Sequence, residues 1–281
     1  MKAFRAMDSP TSPDAPTERR IRVVLSIAGS DSGGGAGIQA DLKAFARCGV
    51  HGATAITAIT AQNTVAVEAV EPVSPAMILA QVRAVAGDLG VDAVKIGMVG
   101  GVAAIEAVAT ALDELAPGVP VVLDPVMVAE SGGRLLDQSA ETALLRELVS
   151  RATVVTPNLI EARVLAGEGP DASPEQLARA IQGLGARAVI VTGGHRAEPS
   201  DLLVDGDRAI ELVGERYPDG AAHGSGCTHS SALAAHLALG YPLEEAARAA
   251  RAIAAEAVRD GLRELGAGPG PVNVLGVGRV P

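Results

Sequence analysis

Aromatic side chains are almost absent: the 281 residues hold two Phe, two Tyr and no Trp. The core must therefore be filled by Ala, Val, Leu and Ile, and the platforms on which nucleic-acid bases stack are missing. Basic charge is also short, since 23 Lys and Arg face 33 Asp and Glu and leave a net charge of −10. No nucleic-acid partner is expected, although local N–H groups in an acidic protein can still hold a small anion. The two cysteines, with no signal sequence, point to a reducing, cytoplasmic setting. No apolar run approaches the ~20 residues of a membrane helix, so the protein is expected to be soluble and to have no membrane partner.

What is present is a chain that is 48% apolar and long enough to bury a large core. Residues 1–20 mix Pro, Ser, Thr and charges without periodicity and predict a disordered tail. Asp8, Asp14 and Glu18 argue against a transit peptide there. From residue 21 to about 275 no linker interrupts the pattern, and one domain is expected.

That pattern is apolar run, loop, helix. Strands are predicted at 21–28, 53–61, 92–96, 119–123, 152–155 and 188–191, with helices at 38–47, 75–88, 102–115, 139–149, 159–165 and 174–184 between them. Such alternation implies βαβ crossovers and a mostly parallel sheet covered on both faces. Residues 201–204 and 208–213, around Asp205-Gly206-Asp207, read as a small hairpin or lid leading into the glycine loop at 223–228. Polar residues cluster just beyond the predicted strands: residues 29–31, Gln62-Asn63, Lys95 with Gly97-Met98, Asp124, Asn158 with Glu161, and residues 192–195. In a parallel sheet those ends share one edge, where ligands bind.

The stretch HGSGCT at 223–228 precedes an alanine-rich run, predicted as a helix over 228–239 because Gly240 and Pro242 stop it. A glycine loop ending on a helix N-terminus presents free N–H groups and the positive end of the helix dipole, which suits an anion such as a phosphoryl group. Cys227 lies in that field, which lowers a thiol pKa, so it is expected as a thiolate able to take a proton from an incoming hydroxyl. A plain tight connection with a small buried Cys is the ordinary alternative. Zinc is disfavoured, since His223, Cys227, His229 and His236 match no standard spacing. Residues 35–40 also fit a dinucleotide fingerprint, but the second strand ends in Gln62-Asn63-Thr64 where that fingerprint expects an acid.

The segments IAGSDSGGGAGIQADLKAF, AITAQNT, KIGMV, LDPVM, SGG, TPNLIEA, GGH and HGSGCT, in this order, resemble the hydroxymethylpyrimidine/phosphomethylpyrimidine kinases of thiamine biosynthesis, within the ribokinase superfamily. The resemblance covers residues 21–275 and implies a three-layer α/β/α fold. It also implies phosphate transfer from Mg-ATP to 4-amino-5-hydroxymethyl-2-methylpyrimidine and then to the monophosphate, with K+ as a candidate further ion and a homodimer as the assembly. By position it implies a pyrimidine pocket of Gly29, Asp41, Gln62, Met98 and Val126. It puts an anion hole at Gly224, Ser225, Gly226 and Cys227, with Cys227 as the catalytic base. Nucleotide contacts fall on Asp124, Asn158, Thr192, Gly194 and Arg251, and Mg2+ on Asp124 and Glu161. Thr192 and Arg251 stand where many relatives carry Lys. The rival readings are a pyridoxal or dual-specificity kinase, because both substrates are hydroxymethyl heteroaromatics, and a binding protein that kept the fold without the chemistry.

Overall fold

The computed structural model describes residues 21–127, 138–193, 200–215, 217 and 220–278. Its strands are β1 (Val23–Ser30), β2 (His51–Gln62), β3 (Val67–Pro72), β4 (Ala93–Ile96), β5 (Val121–Leu123), β6 (Val154–Val155), β7 (Ala188–Val191), β8 (Ser200–Asp205) and β9 (Arg208–Val213). The helices are α1 (Gly37–Arg47), α2 (Pro75–Asp88), α3 (Val102–Asp113), α4 (Gln138–Glu147), α5 (Leu159–Ala166), α6 (Pro174–Gly183), α7 (Ser225–Ala238) and α8 (Leu243–Arg259). All nine strands join one sheet in the order β3-β2-β1-β4-β5-β6-β7-β8-β9. The six from β2 to β7 in that order run parallel, and β3, β8 and β9 are antiparallel additions at the two edges.

Strand alternation sorts the apolar residues into two layers. Leu25, Ile27, Val94, Ile96, Leu123 and Val155 pack against α2 to α6. Their neighbours Val24, Ala93, Val122, Val154 and Ala188 pack against α1, α7 and α8. The second layer is built largely from alanines of α7 and α8, with Phe45 the one large aromatic. Small side chains let α7 lie close to the sheet, so polar groups on α7 can reach groups that rise from the strands. The parallel register places Ser26 of β1 beside Lys95 of β4, both on the α7 side.

Local chemistry sets the helix starts. Ser74 caps α2 ahead of Pro75, and Ser173 with Gln176 forms a capping box on α6. Two features depart from the sequence expectation. The strand β3 pairs with the far half of β2 and is absent from the expected elements, because its residues are mostly exposed and show no buried face. The helix α7 begins at Ser225, three residues before the predicted start, so Cys227 lies inside its first turn. The hairpin β8-β9 is present, turning at Gly206 with φ of +56°, and extends the sheet edge beside β7. Among the described residues no helix is long and apolar enough to cross a membrane.

Candidate active site

Two glycine loops meet at the C-terminal end of β1. Asp31 organises the first: its carboxylate accepts the N–H of Gly33 at 2.8 Å, Gly35 at 3.0 Å and Ala36 at 2.8 Å. The same carboxylate lies 3.2 Å from His223 Nε2, at the start of the second loop. Burial alone would raise the Asp31 pKa, but His223 and the amides of Ala36 and Gly33 outweigh it and bring it below the ordinary value. The second loop turns at Gly224, whose φ of +85° is left-handed, and a Cβ there would overlap the Gly35 carbonyl oxygen. Only glycine suits that position. Ser225 donates its N–H to Ala222 and Thr228 to Gly224, so the amides of Gly226 and Cys227 are first-turn donors without an intrahelical acceptor. That is the arrangement an anion needs.

Beneath this turn runs a buried polar chain. Asp41 of α1, with 0% exposure, accepts Ser26 Oγ at 2.6 Å, Ser231 Oγ at 2.7 Å and Lys95 Nζ at 2.9 Å. Lys95, also fully buried, lies 3.9 Å from Asp124, which accepts Ser230 Oγ at 2.9 Å. Burial would lower the Lys95 pKa, but Asp41 and Asp124 overcome it and hold the ammonium charged. Asp124 itself is pushed up by burial, against the pull of Lys95 and Ser230. The same surroundings act on Cys227. By exposed surface Cys227 is only half-buried, but the protein atoms packed round its sulfur strip it of water, and this, then the carboxylates of Asp41 and Asp124, lifts the thiol to about 12 despite Lys95 and the Gly37 amide. This corrects the expected thiolate: the field of the helix start is weaker here than burial beside two carboxylates, and the resting group is a thiol.

Glu161 and Asn158 belong first to α5. Asn158 caps the helix by accepting the N–H of Ile160 and Glu161, and Glu161 returns the bond to the Asn158 N–H at 2.9 Å. Glu161 is 8% exposed, and burial together with the nearby Asp124 raises its pKa to about 8. Two carboxylates so close that one holds its proton make a donor pair that a hard divalent cation would relieve. Among the described residues no group of three or more His, Cys, Asp or Glu is placed to hold a metal. A cation held by Asp124 and Glu161 would keep most of its waters, which suits Mg2+. Of the other imidazoles, His223 turns to Asp31 and His236 to the Ala232 carbonyl.

The expected pyrimidine residues fall at the ends of β1, β2, β4 and β5. Gly29 donates its N–H to the Met98 carbonyl at 3.1 Å, and the Met98 methyl occupies the space a Gly29 side chain would need. Met98, Val126 and Gln62 are half-buried. Gln62 is fixed through its backbone, which exchanges two hydrogen bonds with Ser32 Oγ, while its amide oxygen receives only a long 3.4 Å bond from Thr60. Asp41 lies on α1, with its side chain fully buried on three partners, Ser26, Ser231 and Lys95. The Arg251 guanidinium packs under Gly214 and pairs with Asp201 at 2.6 Å, where Asp201 also accepts the Gly193 N–H at 2.8 Å. Through Asp201 the arginine is tied to Gly193, and its side chain is 13% exposed. Thr192 bridges to Asn158 and its N–H bonds the Pro157 carbonyl. Gly194 lies outside the described residues.

The sequence reading missed Asp31 as loop organiser, the Lys95–Asp41 pair and Asp201. A lysine inside the apolar strand AVKI and two serines in an alanine helix were the available signals, because a buried polar residue implies a partner.

A doubly covered, mostly parallel sheet with an amide-lined helix start and a carboxylate pair at its ligand edge defines a ribokinase-like phosphotransferase. The family model for phosphomethylpyrimidine kinase matches residues 31–273. The chain is 51% identical over 257 residues, covering 89% of it and 96% of the relative, to the hydroxymethylpyrimidine/phosphomethylpyrimidine kinase of Rhizobium meliloti. Among solved structures it resembles phosphomethylpyrimidine kinase from Clostridium difficile 630, with TM-score 0.74, 39% identity and coverage of 84% of this chain and 99% of that one. It also resembles pyridoxal kinase from Staphylococcus aureus in complex with ADP, with TM-score 0.84, 33% identity and coverage of 93% and 96%. The chain belongs to the phosphomethylpyrimidine kinase family.

Proposed function

We propose that the protein transfers the γ-phosphoryl group of ATP to the hydroxymethyl oxygen of 4-amino-5-hydroxymethyl-2-methylpyrimidine, and then phosphorylates the monophosphate, in thiamine biosynthesis. The observation that carries this reading is the first turn of α7, whose Gly226 and Cys227 amides have no intrahelical acceptor and whose Cys227 lies near Asp41 and Asp124. Gln62 offers a donor and an acceptor to an aminopyrimidine edge, and Met98 and Val126 offer apolar walls. Amides on Gly226 and Cys227 hold the charge that builds on the transferred group. Asp124 and Glu161 would hold Mg2+, which when bound spreads the charge of the phosphates.

Cys227 is the side chain of the anion turn, and its base role requires the thiol proton to leave once the site fills. Without that loss, the alcohol proton passes to a transferred phosphoryl oxygen, which a loose transition state permits. The Cys227→Ala variant separates these: a base predicts kcat lower by about two to four orders of magnitude with KM little changed. A fall of less than about tenfold removes Cys227 as base.

Pyridoxal is the second reading, favoured by the likeness to a pyridoxal kinase. Parallel assays of Mg-ATP with the pyrimidine alcohol and with pyridoxal, following phosphorylated product, test both. Product from neither refutes the reading. The same reading takes the protein as a cytoplasmic homodimer, which light scattering on the purified chain checks.

A further inference from the structure

We propose that Lys95 is a positioning residue for phosphoryl transfer, acting through Asp124 and the α7 turn; this rests on the function proposed above. Three observations converge on its ammonium. It bonds Asp41 at 2.9 Å and stands 3.9 Å from Asp124, and both carboxylates are tied in turn to consecutive residues of α7, Ser231 and Ser230. Lys95 is fully buried on a strand whose other residues are apolar, so the fold retains a charge there that a hydrophobic residue would replace at less cost. The space is reserved for it: a Cβ on Gly97 would lie 2.8 Å from Nζ.

The connectivity gives the ammonium a task beyond neutralising Asp41. Ser230 and Ser231 follow Cys227 by three and four residues, so they share a rigid helix with the Gly226 and Cys227 amides. A shift of either carboxylate moves that turn relative to the strand ends where the alcohol is held. Lys95 is the cation common to both carboxylates, at 2.9 Å from Asp41 and 3.9 Å from Asp124. Reactions of this kind lose rate steeply when reacting groups are misplaced by about 1 Å.

The test pairs Lys95→Met with the double variant Lys95→Met/Asp41→Asn. The single variant strands a buried carboxylate and is expected to melt well below the native protein. The double variant removes both charges and is expected to recover most of the melting temperature. If Lys95 only neutralises Asp41, turnover returns with the fold. If it positions the site, kcat in the double variant stays about 100-fold down with KM for the alcohol within threefold, and the Mg2+ concentration that half-saturates the ADP-dependent melting shift rises about tenfold. Ser230→Ala, which keeps every charge, is expected to lower kcat at least tenfold and decides between the two roles if the double variant does not fold. Turnover within threefold of native in either folded variant overturns the proposal. The ADP melting shift is read without any alcohol, so it still judges Lys95 if the substrate reading fails.

Discussion

Replacing Glu161 with Gln is expected to stabilise the ligand-free protein while weakening its hold on a divalent cation. Burial and Asp124 lift the Glu161 carboxyl from 4.5 to about 8. Near neutral pH the folded chain therefore keeps a proton that the unfolded chain has released. More protons on the folded state means that stability falls as pH rises from the unfolded value toward the folded one. At ~1.4 kcal/mol per pH unit, the penalty at pH 7 is about 3 kcal/mol. An amide avoids it, but its NH2 cannot accept the second of the two N–H bonds that Asn158 and Met127 give the side chain, a loss of about 1 kcal/mol. The net gain of about 2 kcal/mol corresponds to ~4–8 °C in Tm for a domain of this size. Thermal melts in chelator from pH 5 to 9 should show the native Tm declining toward pH 8 and the variant nearly flat. Calorimetry of Mg2+ binding with ADP should release about one proton from the native protein at pH 7 and none from the variant. A variant that melts below the native protein at every pH, or native binding without proton release, would refute the reasoning.

The other predictions concern the helix start and its surroundings. With thiols raised to about 12 at Cys227 and about 11 at Cys48, iodoacetamide at pH 7.5 should modify both at least ~100-fold more slowly than an ordinary exposed thiol; rapid labelling of Cys227 would show a thiolate. Gly224→Ala should lose about 2 kcal/mol or more and most of its turnover, since the new Cβ meets the Gly35 carbonyl in a left-handed turn; native melting and kinetics would contradict the interlocked loops. His229 is buried with neither ring nitrogen hydrogen-bonded among the described residues, and burial lowers its pKa, so it is neutral. His229→Leu should therefore raise Tm by a few degrees with kinetics unchanged, whereas a lower Tm would reveal a partner such as an ordered water.

Much of the architecture was legible because the relevant signals are local. Apolar runs of four to eight residues, Ser-Pro helix starts and the polar residues after each strand need no distant information to be read. Edge strand β3 was not legible, because an exposed strand is defined by pairing with β2 and by nothing in its own pattern. The loop at 223–228 announced itself through its glycines. What it does to Cys227 did not, because the thiol responds to Asp41 and Asp124, which lie far away in the chain and arrive through tertiary packing. The same holds for Asp41 and Arg251. Each is charged and sits near the expected ligands in sequence order, yet each spends its charge on a buried partner that only the folded structure supplies.

The close approach of the Gly35 carbonyl to Gly224 locks the loop after β1 to the loop before α7. Under the proposed function, one loop would border the acceptor ring and the other would hold the migrating phosphate. Neither can be reshaped alone. On the proposed reading, a bulkier acceptor would be admitted by widening the walls at Met98 and Val126, since moving the first loop would also move the Gly226 and Cys227 amides.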